Sequence, residues 1–255
     1  MSTVARSHPS VAAAWRWERR KTRSMWFYVV VAAVSALGFA LGVAQYHRYQ
    51  SEFESQHVTW TALWGQATML PTMFFIPLAI AAAVAQTSAG EHQGRNWPRM
   101  TANGLDGAMF RGKLLHTLQL SFIANVIFVG EFVVAGLALL GFPLDGLGPF
   151  LLRLVPMTLS LWAISLAVMW LGLRMTSFAA VMTSVLIGIM AGVALTIVSP
   201  LVAAIYPMSL LTSACSSRNP ANVASMGAGL AATAIALVWV AVLSGMSWRR
   251  MKRLS

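Results

Sequence analysis

Charged residues punctuate this chain at long intervals, leaving apolar stretches of about twenty residues between them, the length of helix that crosses a bilayer core about 30 Å thick. Six such stretches are predicted as membrane spans. The first, 25–46, lies between Arg23 and Arg48, and the second, 63–86, between Glu54 and Glu91. The third, 114–140, lies between Lys113 and Asp145 with Glu131 as its single charge, and the fourth, 154–173, is framed by Arg153 and Arg174. Arg174 and Arg218 enclose 43 uncharged residues, too many for one span and, with Pro200 and Pro207 inside, too broken for two. The expected arrangement is a fifth span at 178–198, a short apolar segment at the membrane face, and a sixth span at 222–245.

Basic residues orient these spans, because Lys and Arg flanking a helix stay preferentially in the cytoplasm. With both termini inside, fifteen of the 18 Lys and Arg fall on inner segments, and only Arg48, Arg153 and Arg218 fall outside. The first span carries basic residues before it and the small-residue string Gly42-Val43-Ala44 near its end, as a signal peptide does. Its apolar run exceeds the 7 to 15 residues of a signal-peptide core, so a retained helix is expected. The longest inner loop, 87–113, has 27 residues and the longest outer one, 47–62, has 16, too few for a folded domain of their own. The fold class read from the pattern is therefore an all-α integral membrane protein with six spans, one transmembrane domain over 1–255.

Composition agrees with this reading. The chain is 58% hydrophobic and 10% charged, against roughly 25% charged in a soluble domain. Its net charge of +11 would point to a nucleic-acid partner on a soluble protein, but these charges sit at the ends of apolar runs. One cysteine, Cys215, permits no internal disulfide, and no Cys/His cluster is spaced to hold zinc.

Several motifs carry less chemistry than their letters promise. Residues 107–114 fit the Gly-x-x-x-x-Gly-Lys of a nucleotide-binding loop, but Leu114 stands where a Ser or Thr must hold magnesium, and no strand precedes it. Asp106-Gly107-Ala108 with Arg111-Gly112 resembles the start of a CDP-alcohol phosphotransferase signature, yet only Glu131 and Asp145 follow as acids, at the wrong spacing. No Ser–His or paired-Asp constellation lies within the spans for proteolysis. Catalysis by this chain is not expected, and neither is a bound metal. Glu131 lies 18 residues after Lys113, about 27 Å along a helix, which places it near the outer boundary as a hydrated or helix-bonded carboxylate or as part of a transport path.

Two cytoplasmic elements stand out. Over 10–24, Arg16, Arg19, Arg20 and Arg23 recur at helical spacing on one stripe with Val11, Trp15 and Thr22 roughly opposite, the pattern of an interfacial amphipathic helix. Its arginines are expected on phosphate headgroups, with Trp15 at headgroup level. The 87–113 loop holds a carboxylate, an aromatic residue and turn-forming Gly and Asn, and is the one candidate for a docking knob on the inner face.

The basic run Trp15-Arg16-Trp17-Glu18-Arg19-Arg20-Lys21-Thr22-Arg23-Ser24 before the first span, Glu91-His92-Gln93-Gly94-Arg95-Asn96-Trp97 after the second, Arg111-Gly112-Lys113 opening the third, and Tyr206-Pro207-Met208-Ser209 after the fifth together resemble the ABC-2 type permeases. Within these the chain is most similar to the lantibiotic-immunity and bacitracin-type subunits. The resemblance implies a coupling helix that contains Glu91, His92, Gly94, Asn96, Trp97 and Arg99 and docks on a separate ATPase subunit, with Arg111 and Lys113 at the foot of the next span. It also implies a second copy or a sister permease, ATP and magnesium on the partner rather than on this chain, and export of an amphipathic peptide or lipid-like compound across a bacterial inner membrane. The alternatives are a stand-alone transporter, or an assembly or signalling protein that binds a cytosolic partner through the same loop.

Overall fold

The computed structural model describes residues 10–22, 25–56, 58–94, 99–100 and 102–253; the described residues are helical almost throughout and contain no strand. Helix α1 (Val11–Lys21) precedes α2 (Met25–Arg48), the short α3 (Gln50–Ser55), α4 (Trp60–Gln93), α5 (Asp106–Leu139), α6 (Gly148–Gly172) and α7 (Phe178–Val198). Two short helices, α8 (Pro200–Ile205) and α9 (Leu210–Cys215), lead to α10 (Met226–Lys252). Helices α2, α4, α5, α6, α7 and α10 are each long and apolar enough to cross a membrane, which makes this a multi-pass membrane protein. The end of the bundle that carries α1 and the close of α10 is called proximal below, and the opposite end distal.

Helix α6 is the axis of the bundle: it packs against α4, α5, α9 and α10, and Met157, Leu161, Ile164, Leu166 and Val168 along it are fully buried. Helices α2, α7 and α10 lie outside it and keep broad apolar faces, with Leu37, Ile187, Leu230 and Val238 exposed. Close approach of α2 to α4 depends on Gly38 and Gly42, four residues apart. A Cβ at Gly38 would stand 2.6 Å from Pro71 Cγ, and one at Gly42 2.7 Å from Ala67 Cβ, the small-residue spacing that lets membrane helices touch. Pro71 has no N–H to give the preceding turn, and the helix widens into a π-turn over Pro71–Phe75 while Thr72 Oγ1 donates to Thr68 O at 2.8 Å.

The distal half is closed by aromatic rings. Trp64 is fully buried with Phe132 at 4.7 Å, Phe150 at 5.2 Å and Phe128 at 5.9 Å between ring centres, and Phe39 reaches Phe128 at 5.1 Å from α2. Edge and tilted geometries of this kind add stability beyond the area they bury.

The segment after α7 departs from the expected position at the membrane face. It folds back into the bundle as a helical hairpin. Tyr206 donates to Gly188 O at 3.1 Å, ten residues before the end of α7 and so about 15 Å down that helix. Trp239 of α10 donates to Ile205 O at 2.8 Å, and Ser209 Oγ to Ala203 O at 2.6 Å. These donors answer the carbonyls freed where α8 breaks, as backbone at membrane depth requires. The chain then rises through α9, where Trp64 donates to Cys215 O at 2.8 Å, and returns to the distal end, where Arg218 donates to Thr196 O and, at 3.3 Å, to Ile197 O in the last turn of α7.

Candidate functional site

Helix α1 begins at Ser10, whose hydroxyl accepts from Ala13 N at 3.2 Å, and lies against the proximal end of α5. Its inward stripe is Ala14, Trp15, Glu18 and Lys21, the i, i+3/i+4, i+7 spacing of one helical face. Gly112 makes the contact possible: a Cβ there would meet the Ala14 carbonyl carbon and oxygen at 2.9 Å each, and backbone atoms cannot step aside. Trp15 Nε1 donates to Gln119 Oε1 at 3.0 Å, and the Arg19 guanidinium covers the Trp15 ring at 5.0 Å.

At the centre of this packing is a buried cluster of four charges from three helices. Lys113 Nζ of α5 donates to Glu91 Oε1 of α4 at 2.7 Å and to Glu18 Oε2 of α1 at 3.0 Å. Lys21 bonds the same Glu91 oxygen and stands 3.8 Å from Glu18. Glu91 is fully buried, Glu18 1% and Lys113 6% exposed, while Lys21 reaches solvent at one edge. Two carboxylates and two ammonium groups leave the cluster neutral, the condition under which buried charge is tolerable. Beside it, His116 is buried with neither ring nitrogen hydrogen-bonded among the described residues. A cavity of about 20 Å³ between Glu18, Lys113, His116, Thr87 and Ser88 has room for about one water.

The structure gives three of the expected residues specific surroundings. Glu91, expected in the coupling helix, is fully buried beneath α1 and presents no surface of its own. Trp15, expected at headgroup level, is half-buried and bonded to Gln119, while Trp17 of the same helix is 60% exposed. Lys113 lies near the foot of α5, as expected, and is enclosed there by the Glu18 and Glu91 carboxylates. The stripe Arg16, Arg19 and Arg20 is exposed as predicted, and Arg23 lies outside the described residues.

Around the cluster, the other predicted residues divide by exposure. His92 Nε2 stands 2.7 Å from Gly172 O, tying the end of α4 to the end of α6, where Gly172 is pressed on Ser88. Gly94 caps α4 and is exposed, and Arg99 is exposed, while Asn96 and Trp97 between them lie outside the described residues. Arg111 is exposed and donates to Gly107 O at 3.1 Å. Glu131 is in the distal half beside Phe132, half-buried, and its Oε2 has no hydrogen-bond partner among the described residues. No group of three or more His, Cys, Asp or Glu is close enough to hold a metal ion among the described residues.

Glu18, Lys21, Gly112 and Gln119 were missed as site residues by sequence reasoning. The available signal was Glu18 itself, a lone acid within a basic run, three residues before Lys21. No family model matches the chain, and no curated protein does.

Proposed function

We propose that this chain is the membrane-spanning permease subunit of an ATP-binding cassette exporter, with no ATPase site of its own. ATPase subunits carrying ATP and magnesium dock on the 87–113 loop, and the permease pairs with a second copy or a sister permease in a bacterial inner membrane. The cargo is an amphipathic peptide antibiotic or lipid-like compound, in keeping with a span region whose one titratable carboxylate in the distal half is Glu131.

The observation that carries this reading is the neutral charge cluster of Glu18, Lys21, Glu91 and Lys113. It joins the close of α4, the opening of α5 and the whole of α1 into one block at the base of the docking loop. A loop that receives a push from an ATPase needs stiff ends, because a flexible mounting would absorb the motion. Glu91 is on this account a positioning residue that holds the loop's first end, and the contact surface falls to Gly94, Asn96, Trp97 and Arg99. The resemblance to ABC-2 permeases supplies the partner class. The test is Trp97→Ala and Arg99→Glu. Loss of a central anchoring aromatic residue is expected to cost about 2 kcal/mol, or about 30-fold in ATPase affinity, with insertion and thermal unfolding unchanged. Unchanged ATPase affinity in both variants would contradict the docking assignment.

A further inference from the structure

At the distal end, Arg153 carries a positive charge that no acidic side chain balances among the described residues. Its side chain is 2% exposed, and its guanidinium donates to the carbonyls of Val223, Ala214, Asn222 and Ser225. All four acceptors are neutral, and no carboxylate pairs with Arg153 among the described residues. Nη1 has two hydrogens and one acceptor, Ala214 O, at the long distance of 3.4 Å. A groove of about 270 Å³ opens beside it between α6 and α10. Its walls are apolar, with Leu152, Val155 and Pro156 on one side and Met226 and Leu230 on the other.

Position and shape then select the occupant. Arg153, in the second turn of α6, and Arg174, two residues past its end, are 21 residues apart, about 31 Å of helix, so Arg153 stands where a hydrocarbon core about 30 Å thick meets its headgroups. Gly229 brings the groove up to the guanidinium's edge, since a Cβ there would touch it, 3.8 Å from Nη1 and 3.9 Å from Cζ. The first turn of α10 forms the other lip and adds the positive end of its helix dipole. Leu152, Val155, Met226 and Leu230 are all more than half exposed, so the groove faces the lipid rather than a neighbouring helix of this chain.

We propose that this groove is a phospholipid site, in which one acyl chain lies between α6 and α10 and the phosphate sits against Arg153 and the start of α10. The occupant is a bilayer lipid, because the groove offers apolar walls about two helical turns long, about 10 Å, that a free anion would leave empty. The site does not depend on the exporter reading.

The full chain purified in mild detergent and examined by native mass spectrometry tests this. The probes are phosphatidylglycerol, diacylglycerol with the same acyl chains, and inorganic phosphate. One phosphatidylglycerol is expected to remain bound per chain, displaced by neither other probe. Gly229→Leu fills the groove from α10, with its Cβ against the Arg153 guanidinium, and Val155→Trp fills it from α6. Each buried methylene contributes about fourfold in affinity, so displacing three or more lowers retention by about fiftyfold. Equal retention of diacylglycerol, displacement by inorganic phosphate, or undiminished lipid in a folded groove-filling variant would each overturn the proposal; a variant that fails to fold leaves the other to decide.

Discussion

Lys113 and Glu91, 22 residues apart in sequence, meet at 2.7 Å in the protein interior, which pins together the two ends of the connection between α4 and α5. Glu18 takes the same ammonium from the other side, so α1 is held to the bundle by charge as well as by packing. Removing one member of such a pair strands the others in a poorly solvated place. Lys113→Met leaves Glu18 and Glu91 with only the half-exposed Lys21, and is expected to destabilise the protein by about 3–5 kcal/mol. Thermal unfolding of the purified variant checks this; the Lys113→Glu, Glu91→Lys exchange should recover part of the loss.

Gly112 sets how closely α1 lies on α5. Gly112→Val places a side chain where the Ala14 backbone already stands 2.9 Å from a Cβ, so α1 must lift. Limited proteolysis should then cut between α1 and α2 far faster than in the parent, with the spans still inserted. Equal protection of the two proteins would show that α1 does not depend on this contact.

The distal aromatic cluster has a similar tight point. A Cβ at Gly136 would lie 2.1 Å from the Trp60 ring, which is itself held by a hydrogen bond from Nε1 to Pro143 O at 2.8 Å. Gly136→Ala overpacks this site, and a cost of about 1–3 kcal/mol is expected together with a shift in tryptophan emission. Unchanged emission and melting would contradict the packing.

Cys215 is fully buried at the end of α9, with its carbonyl held by Trp64 Nε1 at 2.8 Å. At pH 8, a maleimide should label the thiol only after unfolding.

The spans were legible because apolar length is written directly in the sequence. The run 178–198 matches α7 at both ends, where apolar composition and helix stop together. At the other ends hydropathy underestimates the helix: α4 continues through Glu91 and His92 to Gln93, and α5 starts at Asp106, because burial of the charge cluster lets polar residues remain in helix. The hairpin through Pro200 and Pro207 was not legible, since an apolar run does not record which way the chain turns. Arg153 read as an outer flanking charge for the same reason, although its carbonyl partners lie 61 to 72 residues further along. The site was legible as a region, with Glu91 and Lys113 at its ends. Its organising feature, the pairing with Glu18, depends on how α1 docks, and spacing within α1 does not report that.

Co-purification tests the central claim most directly. The tagged chain is extracted gently from its native membrane, and the bound proteins and ATP hydrolysis are assayed together. The account predicts a stoichiometric cytosolic ATPase that is lost in Trp97→Ala while the variant still inserts and folds. A chain that emerges alone under mild detergent and crosslinking, without ATP hydrolysis, would contradict it.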